Sequence, residues 1–351
     1  MTINKIKIGN KIIEHGKCFI VAEVSANHNK NFNVLKKFLK ELKSTNVDAV
    51  KLQAYQANTI TVQSKLNDFR IKKNNTWSKY KTLYDLYKKA ETPLEWFPKV
   101  FAYCRKIKLN IFASVFDESN LNLLEKLNCP AYKIASPEIT DIPLIKKIAK
   151  TKKPIIVSNG LANYKDLSLA IKTIKKINKK LIILKCTSSY PANIDELNLL
   201  TIKDIGNKFK CLAGFSDHTL GIQSSIHAAS LGACVLEKHI KPKGSKSVDS
   251  FFSINIEELK KMINIIRNNE ISNGKIDYSI SKNSKKNLNG RRSLYVIKNI
   301  KKGEKFSYQN IKSIRPTYGL HPKFLDKIIN KKSISNLRVG SRLKWTHIKK
   351  K

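Results

Sequence analysis

Two histidines stand where chemistry could start. His218 follows the run Gly214-Phe215-Ser216-Asp217, and His239 follows Val235-Leu236-Glu237-Lys238. If those runs are neighbouring strands, their ends lie about 4.8 Å apart, and two imidazoles there could grip one divalent ion. A single histidine is more often a satisfied structural residue; two at equivalent ends favour the metal. Two protein nitrogens leave coordination positions open, so such an ion could polarise a substrate carbonyl as a Lewis acid. Lys51, Lys133 and Lys185 each lie inside an apolar run. A buried ammonium is costly unless paired, and an anionic substrate is a natural partner. Ser114, Ser136, Ser158, Ser188 and Ser216 fall at the ends of such runs and supply hydroxyl donors. Lysines with a ring of hydroxyls make a cradle for a phosphate and a carboxylate. Glu23 and Glu138 sit at the same ends. They could hold sugar hydroxyls or an amide, or act as general acid and base. Ion pairing with the lysines is the competing reading.

The elements that must position these residues follow from the hydropathy pattern. Eight short apolar runs, beginning at Phe19, Ala49, Ile111, Tyr132, Ile155, Leu181, Cys211 and Ala233, alternate with amphipathic stretches such as Val34 to Lys43 and Ile142 to Lys150. The runs are too apolar and too short for surface helices, and eight β-α alternations predict a (β/α)8 TIM barrel. A doubly wound sheet would want a glycine-rich first turn, whereas the first run leads into Ser25-Ala26-Asn27-His28. Nearly every run ends in polar residues at its C-terminal side, where barrel enzymes place reactive groups. Residues 1–270 are read as the barrel domain, with a β-hairpin over 1–16 capping its lower mouth. Residues 271–290, rich in Asn, Ser and Lys, read as a linker. Residues 291–351 switch to short β runs and turns such as Lys302-Gly303-Glu304, a small β-rich second domain.

Composition narrows the partners. The 351 residues carry a formal charge of +42, yet only eight of the 68 basic residues are Arg. Base readers favour Arg, and aromatics interleaved with basic residues are lacking, so no nucleic-acid partner is expected. The field could still steer an anionic substrate. The six cysteines form no CxxC pair and read as reduced thiols of a cytoplasmic protein. The first residues lack the apolar core of a signal peptide, and no run approaches the roughly 20 apolar residues of a membrane span.

The chain resembles the sialic acid synthase family. The resemblance rests on Ile20-Val21-Ala22-Glu23 with Ser25-Ala26-Asn27-His28, on Val50-Lys51-Leu52-Gln53, and on Tyr132-Lys133-Ile134-Ala135-Ser136. It continues through Lys185-Cys186-Thr187-Ser188-Ser189-Tyr190-Pro191, Gly214-Phe215-Ser216-Asp217-His218 and Glu237-Lys238-His239. The C-terminal part, through Arg291 to Val296, Ile300 to Glu304 and Arg315-Pro316, resembles the antifreeze-like (SAF) domain of the same family. Within the family, Arg315 to Phe324, Thr76-Trp77 and Thr92-Pro93-Leu94-Glu95-Trp96 look most like the pseudaminic acid synthases.

The resemblance implies a transferase that joins phosphoenolpyruvate to an amino-sugar, here 2,4-diacetamido-2,4,6-trideoxy-L-altrose. It implies Mn2+, or Mg2+ or Co2+, on His218 and His239. Lys51, Ser114, Lys133, Ser136, Ser158, Ser188, Tyr190 and Ser216 would bind phosphoenolpyruvate. Gln53, Asp249 and Arg315 would bind the sugar, and Glu23 and Glu138 would serve catalysis. It further implies a domain-swapped homodimer in which Arg315 reaches the partner's barrel mouth. The loop Ile240 to Asp249 departs from the family: the usual Phe after the histidine is missing, and the loop runs about one residue short. Alternatives are an acceptor leading to N-acetylneuraminic or legionaminic acid, a Schiff-base aldolase using Lys133 or Lys185, and a basic nucleic-acid binder.

Overall fold

The computed structural model describes residues 5–349. It separates into two compact units, Met1–Gly274 and Lys275–Lys351. In the first, eight parallel strands close a barrel: β3 (Phe19–Glu23), β4 (Ala49–Ala54), β5 (Ile111–Val115), β6 (Tyr132–Ile134), β7 (Ile155–Ser158), β8 (Leu181–Cys186), β9 (Leu212–Asp217) and β10 (Val235–His239). They pair in that order, and β10 returns to β3. These are the eight apolar runs of the sequence. Helices cover the outside and side chains fill the inside, so nearly every strand residue is buried. That explains the continuous Val, Ile and Leu in place of alternation.

Helices occupy the expected stretches, including Phe32–Lys43, Ile142–Lys150 and Gln223–Ser230. Their starts are set by side-chain caps. Asn31 accepts from Val34 N, Asp141 from Leu144 N, and Asn163 from Lys165 N and Asp166 N. Each cap satisfies amides left orphaned by the first turn, worth about 1 kcal/mol apiece. The helix Ile256–Asn273 buries Leu259, Met262, Ile263 and Ile266, one stripe at helical spacing. It runs three residues into the segment read as a linker. Its last turns bury no apolar side chain, so the period that would have announced them is missing. A 3-10 helix, Ser284–Gly290, occupies the end of the same segment.

The expected hairpin is β1 (Lys5–Ile8) with β2 (Lys11–Glu14), antiparallel, with Gly9 at positive φ in the turn. Residues 1–4 lie outside the described residues. Ile6, Ile8 and Ile13 join the barrel core. Asn10 N donates to Asn110 Oδ1 at 3.4 Å, and Lys11 Nζ lies 3.5 Å from Asp48 Oδ1. Asn110 and Asp48 immediately precede β5 and β4, so the hairpin covers the N-terminal end of the barrel. The opposite end is roofed by the long crossover from β4 to β5. Up to residue 90 it contains short helices, Ala57–Ile60 and Leu83–Ala90, a 3-10 turn at Asn67–Phe69, and a bridge between Arg70 and Thr82.

The second unit pairs β11 (Ser293–Val296) antiparallel with β12 (Ile311–Ile314). Leu294, Val296, Ile300, Phe306, Ile311 and Leu343 form its core. Lys302-Gly303-Glu304 makes the expected turn, with Gly303 at φ +86°.

Candidate active site

A cavity of about 560 Å³ opens at the C-terminal end of the barrel strands. Alternation along each strand decides which residues enter it. On β4, Lys51 and Gln53 face the cavity; on β10, Glu237 and His239 do. Ser114 of β5, Lys133 of β6, Ser158 of β7 and Ser216 of β9 supply the rest of the floor.

The floor is a buried network of charge. Lys51 Nζ lies 2.6 Å from Glu23 Oε2, 3.6 Å from Glu237 Oε2 and 2.9 Å from Ser114 Oγ. Lys133 Nζ donates to Glu237 Oε1 at 3.2 Å, and Ser216 Oγ donates to the same oxygen at 3.0 Å. The ion-pair reading of Glu23 is therefore correct as far as Lys51 is concerned. Burial raises the Glu23 carboxyl above its usual range; Lys51 pulls it back down, and the negative charge of Glu237 adds to the rise. Burial likewise penalises the Glu237 carboxylate, but two ammonium groups hold it well below the usual range. Glu237 thus neutralises the lysines and leaves Glu23 easier to protonate. Burial lowers Lys133, with Lys51 adding repulsion.

Above the floor the hydroxyls converge. Ser136 Oγ accepts from Gly160 N at 2.9 Å, and Ser158 Oγ is buried with no partner among the described residues. Gly160 has no room for a side chain: a Cβ there would lie 2.9 Å from Ser136 Oγ and closer still to Ser188 Oγ. Ser188 Oγ also lies 3.7 Å from Cys186 Sγ. Glu138 faces the cavity with a buried Oε2 that has no hydrogen-bond partner among the described residues. Burial raises its carboxyl to about 7.

The two imidazoles meet at the rim. The rings of His218 and His239 are 5.3 Å apart between centroids, steeply inclined. His218 Nδ1 lies 2.9 Å from the carbonyl oxygen of Thr187, which only accepts, so Nδ1 carries the proton and Nε2 the lone pair. Nδ1 of His239 is buried with no hydrogen-bond partner among the described residues. Burial, then the charge of His218, drives His239 toward its neutral form. An imidazole oriented by a backbone carbonyl and, beside it, one whose Nδ1 has no partner among the described residues fit a divalent ion. Among the described residues no group of three or more His, Cys, Asp or Glu could hold one. The protein's share of such a shell is two, which leaves it open.

The strand-end reading needs corrections. Lys185 does not reach the cavity: its Nζ donates to Cys186 O at 2.9 Å. Pleating turns its neighbour Cys186 inward instead. Its thiol is penalised by burial, but His218 and Lys133 draw it down to about 7. Asn27 and His28 also face away. Asn27 Nδ2 donates to Ile240 O and Ser253 Oγ, and His28 Nε2 meets Thr92 Oγ1 at 3.0 Å. Lys238 pairs with Asp217 at 3.0 Å between the two histidine-bearing strands.

Asp249 does line the cavity and accepts from Ser25 Oγ and Ala26 N. The aromatic missing from the loop after His239 is supplied further along: the Phe252 ring lies 4.7 Å from His239 and 5.1 Å from Tyr190. Tyr190 lies 4.4 Å from His218. Arg315, at the end of β12, is exposed in the second unit. Sequence reasoning gave no role to Glu237 or Cys186, although Glu237 shares its strand face with His239. It also missed the aromatic wall from the β4–β5 crossover, which carries no polar signal.

Residues 38–278 match the NeuB family and residues 291–349 match the SAF domain. The pseudaminic acid synthase of Helicobacter pylori is 43% identical over 327 residues, covering 92% of this chain and 96% of its own. The N,N'-diacetyllegionaminic acid synthase of Campylobacter jejuni is 35% identical over 325 residues, covering 90% and 96%. The crystal structure of the N-acetylneuraminic acid synthetase of Leptospira borgpetersenii, in complex with citrate, superposes with a TM-score of 0.71 at 27% identity over 81% of this chain and 95% of that one. The barrel, the cavity at its C-terminal end and these matches agree: the chain belongs to the NeuB family.

Proposed function

We propose that the chain condenses phosphoenolpyruvate with 2,4-diacetamido-2,4,6-trideoxy-L-altrose and water, giving pseudaminic acid and phosphate. The observation that carries it is the floor of Lys51 and Lys133 beneath the His218–His239 pair, in a chain 43% identical to a pseudaminic acid synthase. Lys51 and Lys133 would exchange part of their pairing with Glu23 and Glu237 for the substrate's phosphate and carboxylate. Ser114, Ser136, Ser158, Ser188 and Ser216 would supply hydrogen bonds, and Tyr190 would close the side. Gln53 and Asp249 would hold the sugar.

His218 and His239 would hold a divalent ion, with Mn2+ favoured over Mg2+ and Co2+. When bound, it supplies Lewis-acid polarisation of the acceptor's aldehyde. The methylene carbon of phosphoenolpyruvate forms a bond to the aldehyde carbon, and the aldehyde oxygen takes a proton. Glu138, raised to about 7, is half-protonated at neutral pH and can supply that proton. Water adds to the former enol carbon, gives its proton to a carboxylate such as Glu23, and the C–O bond to phosphate breaks. The fixed lysines and hydroxyls contribute mainly by positioning and by stabilising charge.

A second copy of the chain is proposed to bring Arg315 to the sugar, in the cytoplasm. Among the described residues no helix is long and apolar enough to cross a membrane. The test is phosphate release from phosphoenolpyruvate with each of the three candidate acceptors, with and without a chelator and added Mn2+. Release with the trideoxy sugar, lost with chelator and restored by Mn2+, is expected. Faster release with an acceptor of the neuraminic or legionaminic series would replace the substrate assignment.

A further inference from the structure

One side of the cavity has a different character from its floor. Tyr55, Ile71, Trp77, Leu86, Tyr87 and Phe116 line it, and all but Phe116 come from β4's exit and the crossover that roofs the barrel. They form a packed cluster of their own, separate from the barrel core. The Tyr55 ring lies 5.1 Å from Phe116 and 6.0 Å from Tyr87, each edge-on. Trp77 Nε1 donates to Val248 O at 3.2 Å, so the indole presents only its ring to the cavity. The ring of Trp77 also lies 5.4 Å from Tyr190, which joins this wall to the imidazole side. Ile71, Leu86 and Phe116 offer no hydrogen bond at all. The phenol hydroxyls of Tyr55 and Tyr87 are the remaining polar atoms of these six side chains; Asn75 of the same crossover also lines the cavity, with its Oδ1 taken up by Trp77 N.

We propose that this wall reads the far end of the acceptor sugar and selects a methyl group there over a hydroxymethyl group. The inference rests on the proposed reaction and goes further, by assigning substrate choice to named residues of the β4–β5 crossover. The lysines and hydroxyls on the floor take the phosphate and carboxylate, and the imidazole rim lies over the reacting carbonyl. The rest of the acceptor must then extend along the remaining wall. A hydroxyl turned against Ile71, Trp77 and Phe116 loses its bonds to water and gains none, whereas a methyl group loses nothing. An apolar surface rejects an added hydroxyl only moderately, by about 10- to 100-fold. The two phenols do not weaken this choice, because they can serve an acetamide carbonyl elsewhere on the sugar.

The test compares two acceptors that differ only in a hydroxyl on the terminal carbon. Both are measured with wild-type enzyme and with Ile71→Asn and Trp77→Gln. Ile71 is half-buried beside the Arg70–Thr82 bridge and lies outside the barrel core, so its substitution spares that core, and Trp77→Gln gives an independent second variant. The wild type is expected to prefer the deoxy acceptor by about 10- to 100-fold in kcat/KM. Each variant is expected to shrink that ratio at least several-fold through KM for the sugar, with KM for phosphoenolpyruvate unchanged. Equal use of both acceptors by the wild type, or a ratio unmoved in both variants, overturns the assignment. If neither acceptor reacts, the reaction assignment has failed instead. The same sugar pair is then read by quenching of tryptophan fluorescence, where tighter binding of the deoxy sugar supports the wall's role and equal binding refutes it.

Discussion

Glu138 is the residue whose replacement tests the electrostatics most directly. Its carboxyl lines the cavity, has one oxygen without a partner among the described residues, and is pushed by burial up to about 7 from an ordinary value of 4.5. Its folded-state pKa is raised, so between pH 4.5 and 7 the folded chain holds a proton that the unfolded chain has lost. Stability therefore falls as pH rises through that window. The difference of about 2.5 units corresponds to about 3 kcal/mol at full effect, and partial exposure of the group brings the figure nearer 2. Glu138→Gln keeps the shape and removes the titration. At pH 5 the variant should melt close to the wild type. At pH 8 it should melt about 4–6 °C higher, at about 2–3 °C per kcal/mol for a unit of this size. Thermal unfolding followed by circular dichroism at both pH values checks this. Steady-state kinetics on the same proteins should show a limb of kcat/KM falling above about pH 7 in the wild type and absent from the variant. A melting shift of the same size at pH 5 and pH 8 would refute the argument, because the carboxyl would then be titrating normally.

Further outcomes follow from the same geometry and from the charge of the chain. Lys133→Met leaves Glu237 with half its compensation in a buried site, so it should cost about 3–5 kcal/mol in urea unfolding. In the same cavity, borohydride with substrate should trap no adduct on Lys133 in the wild type; a trapped adduct would revive the aldolase alternative. Gly160→Ala must displace Ser136 and Ser188, so KM for phosphoenolpyruvate should rise at least tenfold while the melting temperature stays within a few degrees. A charge of +42 should make kcat/KM for an anionic substrate fall as ionic strength rises, and no DNA should be retained at physiological salt.

The barrel was readable because its strands are buried on both faces and so appear as uninterrupted apolar runs. The rim was readable for the same reason: Lys51, Lys133, Glu23 and the serines interrupt or end those runs where polarity has no structural cause. Which of two adjacent polar residues enters the cavity was not readable. Lys185 and Cys186 differ by one step of the pleat, and the hydropathy of the run does not reveal its phase. Glu237 was visible at a strand end, but its hold on both lysines depends on a closed barrel bringing β4, β6 and β10 to a common axis. The wall of Ile71, Trp77 and Phe116 is apolar, and in a sequence an apolar residue facing substrate looks like one facing the core. The final turns of the helix ending at Asn273 face solvent, so nothing periodic marks them.

The hairpin of β1 and β2 has a consequence for the order of events. Ile6, Ile8 and Ile13 join the core at the base of the barrel, and the cavity lies at the other end, lined in part by the β4–β5 crossover. Whatever binds against Lys51 and Lys133 lies beneath whatever binds against Trp77. With phosphoenolpyruvate placed as proposed, that depth predicts that the smaller anion binds before the sugar and that phosphate leaves after the nine-carbon product, an order that product-inhibition kinetics would read.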